Sequence, residues 1–309
     1  MDRLDAMAVF LAVAEEGSLS AAARRLDAPL TTISRKISGL EDHLKTQLVT
    51  RSSRKISLTD AGKSYVGACK RILEEVVEAE RTASGEYLAP KGALHLTAPI
   101  VLGRLYLVPV LAEFLSAFPD IDATIALSDR LVDLAAEEVD AALRLGDLAD
   151  SALIATRVGL AQRVFAASPD YMARRGVPKT PSDLTHHDCV GVQGFLGSSF
   201  WSVAGVGAQM RFRVTVNSTD AACDAAKAGL GIISVFSHHV AQGFEDGSLV
   251  PVLAHLDRPL LPLSLVRSSA DYLPLKLRAF ADFAAPRLKA RLSADRDGFL
   301  ATMSRYAAP

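Results

Sequence analysis

Residues 20–62 read SAAARRLDAPLTTISRKISGLEDHLKTQLVTRSSRKISLTDAG. An apolar helix leads into a short break at Asp27-Ala28-Pro29. A second helix follows, with Ile33, Ile37, Leu40 and Leu44 spaced 4, 3 and 4, one stripe of an amphipathic helix. That stripe is expected to pack on Ala22, Ala23 and Leu26, and three consecutive alanines, Ala21–Ala23, let the two backbones approach closely. Away from the stripe lie Thr31, Thr32, Ser34, Arg35, Lys36 and Ser38. A basic, hairpin-like segment then runs from Arg51 through Arg54 to Lys55. The order is helix, turn, helix, wing. A helix of this size fits the major groove of DNA, and a flanking cationic loop holds phosphates.

Charge agrees with that order. Residues 24–63 hold nine Lys/Arg and four Asp/Glu, a local net of +5 in a chain whose total is −1. Concentrated positive charge is the footprint of a nucleic-acid module. A solvated basic helix would show the charge but not the helix-turn-helix spacing beside a wing. The front of the second helix, Thr31, Thr32, Ser34, Arg35, Lys36 and Ser38, is therefore assigned to the groove, and Arg51, Arg54 and Lys55 to phosphates.

At these positions the chain resembles the LysR-type transcriptional regulators. The likeness rests on Phe10, Val13, Gly17-Ser18, Ser20-Ala21-Ala22-Ala23 and Leu26. It continues through Ile33-Ser34-Arg35, Ile37, Leu40-Glu41, Leu48, Arg51 and Leu58-Thr59-Asp60-Ala61-Gly62. Lys45 stands where many members carry Gly, so the second helix is expected to end by a different cap. The resemblance implies a winged helix-turn-helix (1–58), a linker helix and hinge (59–90), an effector-binding domain (91–290) and a C-terminal tail (291–309). It also implies RNA polymerase as a partner.

The linker has its own signal. Thr59-Asp60 is a good helix start. Ala61, Tyr65, Ala68, Ile72, Val76, Ala79 and Ala83 then recur at helical steps. Tyr65, Ile72 and Val76 are assigned to pairing with a second copy, because two recognition helices on a palindrome need a two-fold axis. Packing within the chain's own domain is the other reading of the same seam.

From residue 93 strands and helices alternate. Strands are expected at 94–98, 123–127, 141–145, 211–216 and 231–234, and helices at 99–118, 131–138 and 221–228. This is an α/β pattern. Asn217-Ser218-Thr219-Asp220, Val139–Arg144 and Gly247–Leu253 extend the family resemblance, which implies two α/β lobes of the periplasmic-binding-protein type, joined by two crossovers, with an effector cleft between them. In open α/β sheets ligands bind beyond the carboxyl ends of strands. Those ends carry Thr97, Pro99, Ile100, Ser128, Arg144 and Asn217. A hydroxyl, a helix N-terminus and a cation favour an anionic ligand. Arg144 reads equally well as an ion pair with Asp147. Phe200 and Trp201, in a Gly/Ser-rich stretch, read as core, with the cleft wall as the other reading.

Other classes find little support. Three dispersed cysteines, Cys69, Cys189 and Cys223, form no CxxC and read as reduced and packed. His186-His187 and His238-His239 lack ligand spacing on one helix face. No P-loop or GxSxG occurs, and Gly229-Leu230-Gly231 is too short for a dinucleotide fingerprint. The amphipathic start, with Asp2, Asp5 and Glu15-Glu16, is no secretory signal. The expectation is a cytoplasmic, homodimeric or homotetrameric regulator of double-stranded DNA with no cofactor, no metal, no catalytic residue and no membrane partner. The rival is a soluble α/β enzyme or solute-binding protein with an accessory helical domain. Residues 291–309 read as a loosely attached helix or as disorder.

Overall fold

The structure is a computed structural model. It describes all residues except 1, 52–55, 84–88, 131, 135–136, 138, 149–152, 194–200, 202–209, 257–259, 269–272 and 307–309. The chain divides at Pro90/Lys91 into two compact units.

The first unit begins with α1 (Arg3–Glu16), started by the Asp2 carboxylate, which accepts from the Leu4 amide at 3.0 Å, and ended by Gly17 at φ 61°. Helix α2 (Leu19–Arg25) is capped by Ser18. Asp27 (φ 46°) reverses the chain, and α3 (Leu30–Leu44) follows Pro29, whose fixed φ suits a helix start. Ile33, Ile37 and Leu40 are fully buried against Ala6, Phe10, Val13 and Ala22. Burial of each such side chain contributes about 1.5–3 kcal/mol. Leu26 does not join them: it is 38% exposed, because the reversal at Asp27 turns its side chain off the seam.

Helix α3 ends at Lys45 in the left-handed conformation, φ 52° and ψ 34°, and the Thr46 amide reaches back to the Glu41 carbonyl. This is the glycine-type cap formed by a lysine, so the expected change of cap does not occur. The wing strands β1 (Val49–Arg51) and β2 (Ile56–Leu58) pair antiparallel. Helix α4 (Asp60–Ala83) starts with the Thr59 hydroxyl accepting from the Gly62 amide at 2.9 Å. A Cβ at Gly62 would stand 2.0 Å from the Leu48 carbonyl oxygen, so the helix start can lie against the wing only with glycine there.

The second unit holds two lobes. In the first, β3 (Gly92–Ala98) lies between parallel neighbours β4 (Ile121–Leu127) and β5 (Ala141–Leu145). Helix α5 (Ile100–Ala117), with a π turn at Gly103–Leu107, connects β3 to β4. It is apolar enough to cross a membrane by composition (mean hydropathy 1.7), yet Val101, Leu102, Tyr106, Val110 and Phe114 are buried inside this lobe. The helix expected over 131–138 is absent from its described residues. Val132 and Asp133 are irregular, and Glu137 closes only a single turn onto the Asp133 carbonyl.

Strand β6 (Leu153–Ala167) joins the lobes. Residues 153–162 pair with β11 (Leu260–Ser268), and 163–167 pair with β9 (Ile233–Phe236) and β10 (Val250–Val252). Around this second half stand α6 (Pro169–Arg175), β7 (Asp188–Val192), β8 (Arg211–Val216), α7 (Thr219–Lys227) and α8 (Ser237–Glu245). Strand β9 starts two residues later than the expected 231–234. A Cβ at Gly231 would lie 2.4 Å from the Asp188 carbonyl oxygen, and the Ile232 amide bonds that same oxygen. Trp201 is buried between Phe165 (5.5 Å) and Phe212 (5.2 Å), which is the core reading; Phe200 lies outside the described residues.

The C-terminal stretch is not a loose tail. Helix α9 (Leu275–Ser304) is continuous, and Leu288, Leu292, Phe299 and Thr302 are buried along it. An apolar residue roughly every turn supplies the packing that the charge-rich sequence hides.

Candidate nucleic-acid interface and effector cleft

On α3 the face opposite the core carries Thr31 and Arg35, both exposed, with Ser38 half-buried on the same side and Thr32 half-buried at its edge. Ser34 is also half-buried. Lys36 departs from the expectation. Its Nζ turns back to Asp5 of α1 at 2.5 Å, so this cation ties two helices instead of standing at the front. Arg51 pairs through its backbone with Ile56; its side chain, with Arg54 and Lys55, lies outside the described residues. Sequence reading missed Glu41. One of its carboxylate oxygens accepts from the Leu48 and Val49 amides at 2.8 and 3.0 Å and so fixes the wing to the recognition helix.

On α4 the seam divides. Tyr65 packs on Phe10 at 5.7 Å and belongs to the unit's own core, as do Val66 and the buried Cys69. Ile72, Leu73 and Val76 continue the same stripe half-buried, and Val77 is 41% exposed, beyond the last core residue of the unit.

In the second unit a cavity of about 290 Å³ lies between the lobes. Four of the six expected residues line it: Thr97, Pro99, Ser128 and Arg144. Ile100 does not. Its side chain is 39% exposed, and its amide donates to the Asp129 carboxylate at 3.0 Å. The start of α5 is thus capped by the protein's own carboxylate, which removes the expected anion site there. Asn217 is exposed at the end of β8; two residues on, Thr219 enters the cavity instead, placed by the Ser218 cap of α7. The Thr97 hydroxyl donates to the Ala126 carbonyl at 2.7 Å, so its proton ties β3 to β4 and is not offered to a ligand. Arg144 donates to the Val132 carbonyl instead of pairing with Asp147.

Residues outside the sequence reading complete the cavity. Arg163 of β6 lies 5.4 Å from the Phe236 ring, and burial lowers its pKa from the ordinary value. His238 stacks on Phe236 at 5.9 Å and sits 4.2 Å from His239. Burial lowers both imidazole pKa values, His238 the more strongly, and keeps the rings neutral at pH 7. Arg104 of α5 and Asp220 of α7 face each other across the lobes at 3.9 Å. The rule that ligands sit at strand ends points to Phe236 and the histidines after it; the boundary drawn at Ser234 hid them.

No group of three or more metal-ligating side chains converges among the described residues. The three cysteines are buried, and burial raises their thiols to about 11 at Cys69 and about 12 at Cys189 and Cys223. A protonated, buried thiol is a poor nucleophile.

Comparison with known proteins gives the same division. Residues 4–63 match the family model "Bacterial regulatory helix-turn-helix protein, lysR family", and residues 89–289 match the LysR substrate binding domain. An HTH-type transcriptional regulator of Haemophilus influenzae is 33% identical over 281 residues, 90% of this chain and 98% of the relative. The HTH-type transcriptional activator AaeR of Escherichia coli is 30% identical over 282 residues, 90% of this chain and 91% of the relative. The solved structure of CrgA, a LysR-type transcriptional regulator from Neisseria meningitidis, is 30% identical with a TM-score of 0.59, covering 92% of this chain and 98% of that one. The helix-turn-helix with its wing, the two-lobed effector domain and these matches together make the chain a member of the LysR family of transcriptional regulators.

Proposed function

We propose that residues 1–58 read operator DNA, that the helix and hinge of 59–90 pair two copies, and that the cavity within 91–290 takes a small anionic effector. Thr31, Thr32, Arg35 and Ser38 meet base edges, while Arg51, Arg54 and Lys55 hold phosphates. Pairing uses Ile72 and Val76, with Val77 beside them, because the apolar stripe of α4 outruns the core of its own unit. The protein works in the cytoplasm on double-stranded DNA, as a homodimer or a dimer of dimers, with RNA polymerase as its downstream partner.

One observation carries the effector class. Two guanidinium groups, Arg144 and Arg163, line the cavity against one carboxylate, Asp129, while Arg130 is paired with Glu137 at 3.0 Å and both imidazoles are neutral. That net charge favours an anion, and Phe236 beside Arg163 offers an apolar wall. A thermal-shift screen pairing small carboxylic acids with their neutral amides tests this on the full chain. Acids should raise the melting temperature and amides should not. Arg163→Gln should remove the difference. Equal shifts for acids and amides, or an unaltered response in Arg163→Gln, would contradict the assignment.

A further inference from the structure

The matched substrate-binding model ends at residue 289, yet α9 runs on to Ser304. Up to that point the helix belongs to the first lobe. Phe280 and Phe283 stand edge-on to Phe114 of α5 at 5.3 and 5.4 Å, and Arg287 pairs with Glu113 at 3.3 Å. Arg291, one turn after Arg287, still pairs with Glu113 at 2.5 Å, and after it the contacts change. Leu292 covers Gly159 so closely that a Cβ there would stand 3.0 Å from the leucine side chain. Gly159 lies on β6 just before that strand leaves β11 for β9, which is one of the two crossovers between the lobes. Asp295 faces Tyr106 of α5 across a small void, and burial, with this carboxylate beside it, pushes the Tyr106 hydroxyl up. Phe299 is buried in the second lobe, 6.0 Å from Phe244. The helix therefore leaves the first lobe, crosses the hinge and ends anchored in the second.

His238 sits where these parts meet. It lines the effector cavity and also a void of about 30 Å³ bounded by Tyr106, Leu292, Asp295 and Phe299. We propose that the turns from Leu292 to Phe299 splint the hinge, fixing the separation of the lobes and the position of His238 in the cleft wall. Two strand crossovers alone permit hinge rotation, which a few backbone dihedrals absorb. A rigid helix packed on both lobes adds a third tie. Rotation then requires Leu292 to slide off Gly159 or Phe299 to leave its core. The proposal goes beyond the regulatory reading and does not depend on the effector's identity.

Interlobe distances test it on the full chain. Spin labels at Ser116→Cys in α5 and Lys227→Cys in α7 report one lobe each; both positions are exposed and the native cysteines are buried. With the labelled chain diluted in unlabelled chain, so that only distances within one protomer are read, the parent protein should give a single narrow distance distribution. Leu292→Ala with Asp295→Ala removes the hinge contacts and should at least double the width or add a second distance. Hydrogen exchange in β9 should stay at its parent level. An unchanged narrow distribution would overturn the proposal. So would loss of exchange protection throughout the second lobe, which would make these turns part of that core. If the double variant does not fold, Leu292→Ala alone, which removes the contact with Gly159, decides by the same two readouts.

Discussion

Lys45 shows how a single residue is legible and misleading at once. Its absence of glycine character suggests another helix end, yet the backbone adopts φ 52° regardless, because the Thr46 amide and the wing beyond it fix the chain direction. A left-handed non-glycine residue costs about 1–2 kcal/mol, partly offset by glycine's larger unfolded entropy. Lys45→Gly should stabilise the first unit by about 0.5–1 kcal/mol in urea denaturation; destabilisation would mean that the lysine side chain holds the cap. The histidines make a second prediction. Burial lowers the pKa of His187, His238 and His239 below the ordinary 6.5. The unfolded chain therefore binds protons more readily. The contribution to stability is present above pH 6.5 and is lost as pH falls through 6.5 towards the folded values. Each histidine adds at most about 1.4 kcal/mol per pH unit to that slope. Denaturation midpoints at pH 7.5 and 5.5 should differ less in His238→Asn than in the parent, and an equal difference would mean that His238 takes up its proton in the fold as readily as in the unfolded chain.

Among elements, those that obey one period from end to end were readable. Helix α3 keeps its 4-3-4 stripe, and Ile33, Ile37 and Leu40 are buried as that stripe requires. Strand β6 was missed because LIATRVGLAQRVFAA serves two sheets, exposed in its first half and buried in its last four residues, so neither alternation nor a uniform apolar run appears. The Asn217 assignment failed by two residues because the helix cap, not the strand end, decides which side chain faces the cavity. Helix α4 mixes both of its readings: Tyr65 serves its own unit, and the stripe beyond Cys69 lies outside that core, where the proposed pairing would use it. Ile72→Asp tests that remainder. A carboxylate buried in a paired seam has no compensating charge and is strongly unfavourable. Light scattering should report smaller particles for this variant, with circular dichroism unchanged. An unaltered particle mass would put the pairing surface elsewhere.

For the whole molecule, the division into a DNA-reading unit and a ligand-reading unit was visible in the charge distribution and the change of period near residue 92. The composition of the cavity was not, since Arg163, Thr219, Phe236 and His238 come together only through the crossover of β6 and the second lobe. The central claim is that the exposed face of α3 reads sequence. Selection of bound duplexes from a random pool, by the parent and by Arg35→Ala, tests it most directly. The parent should enrich a two-fold symmetric site, and Arg35→Ala should lose preference at one position in each half-site, at about 1–3 kcal/mol per lost base contact. Recovery of the same site with the same affinity by Arg35→Ala would contradict the account.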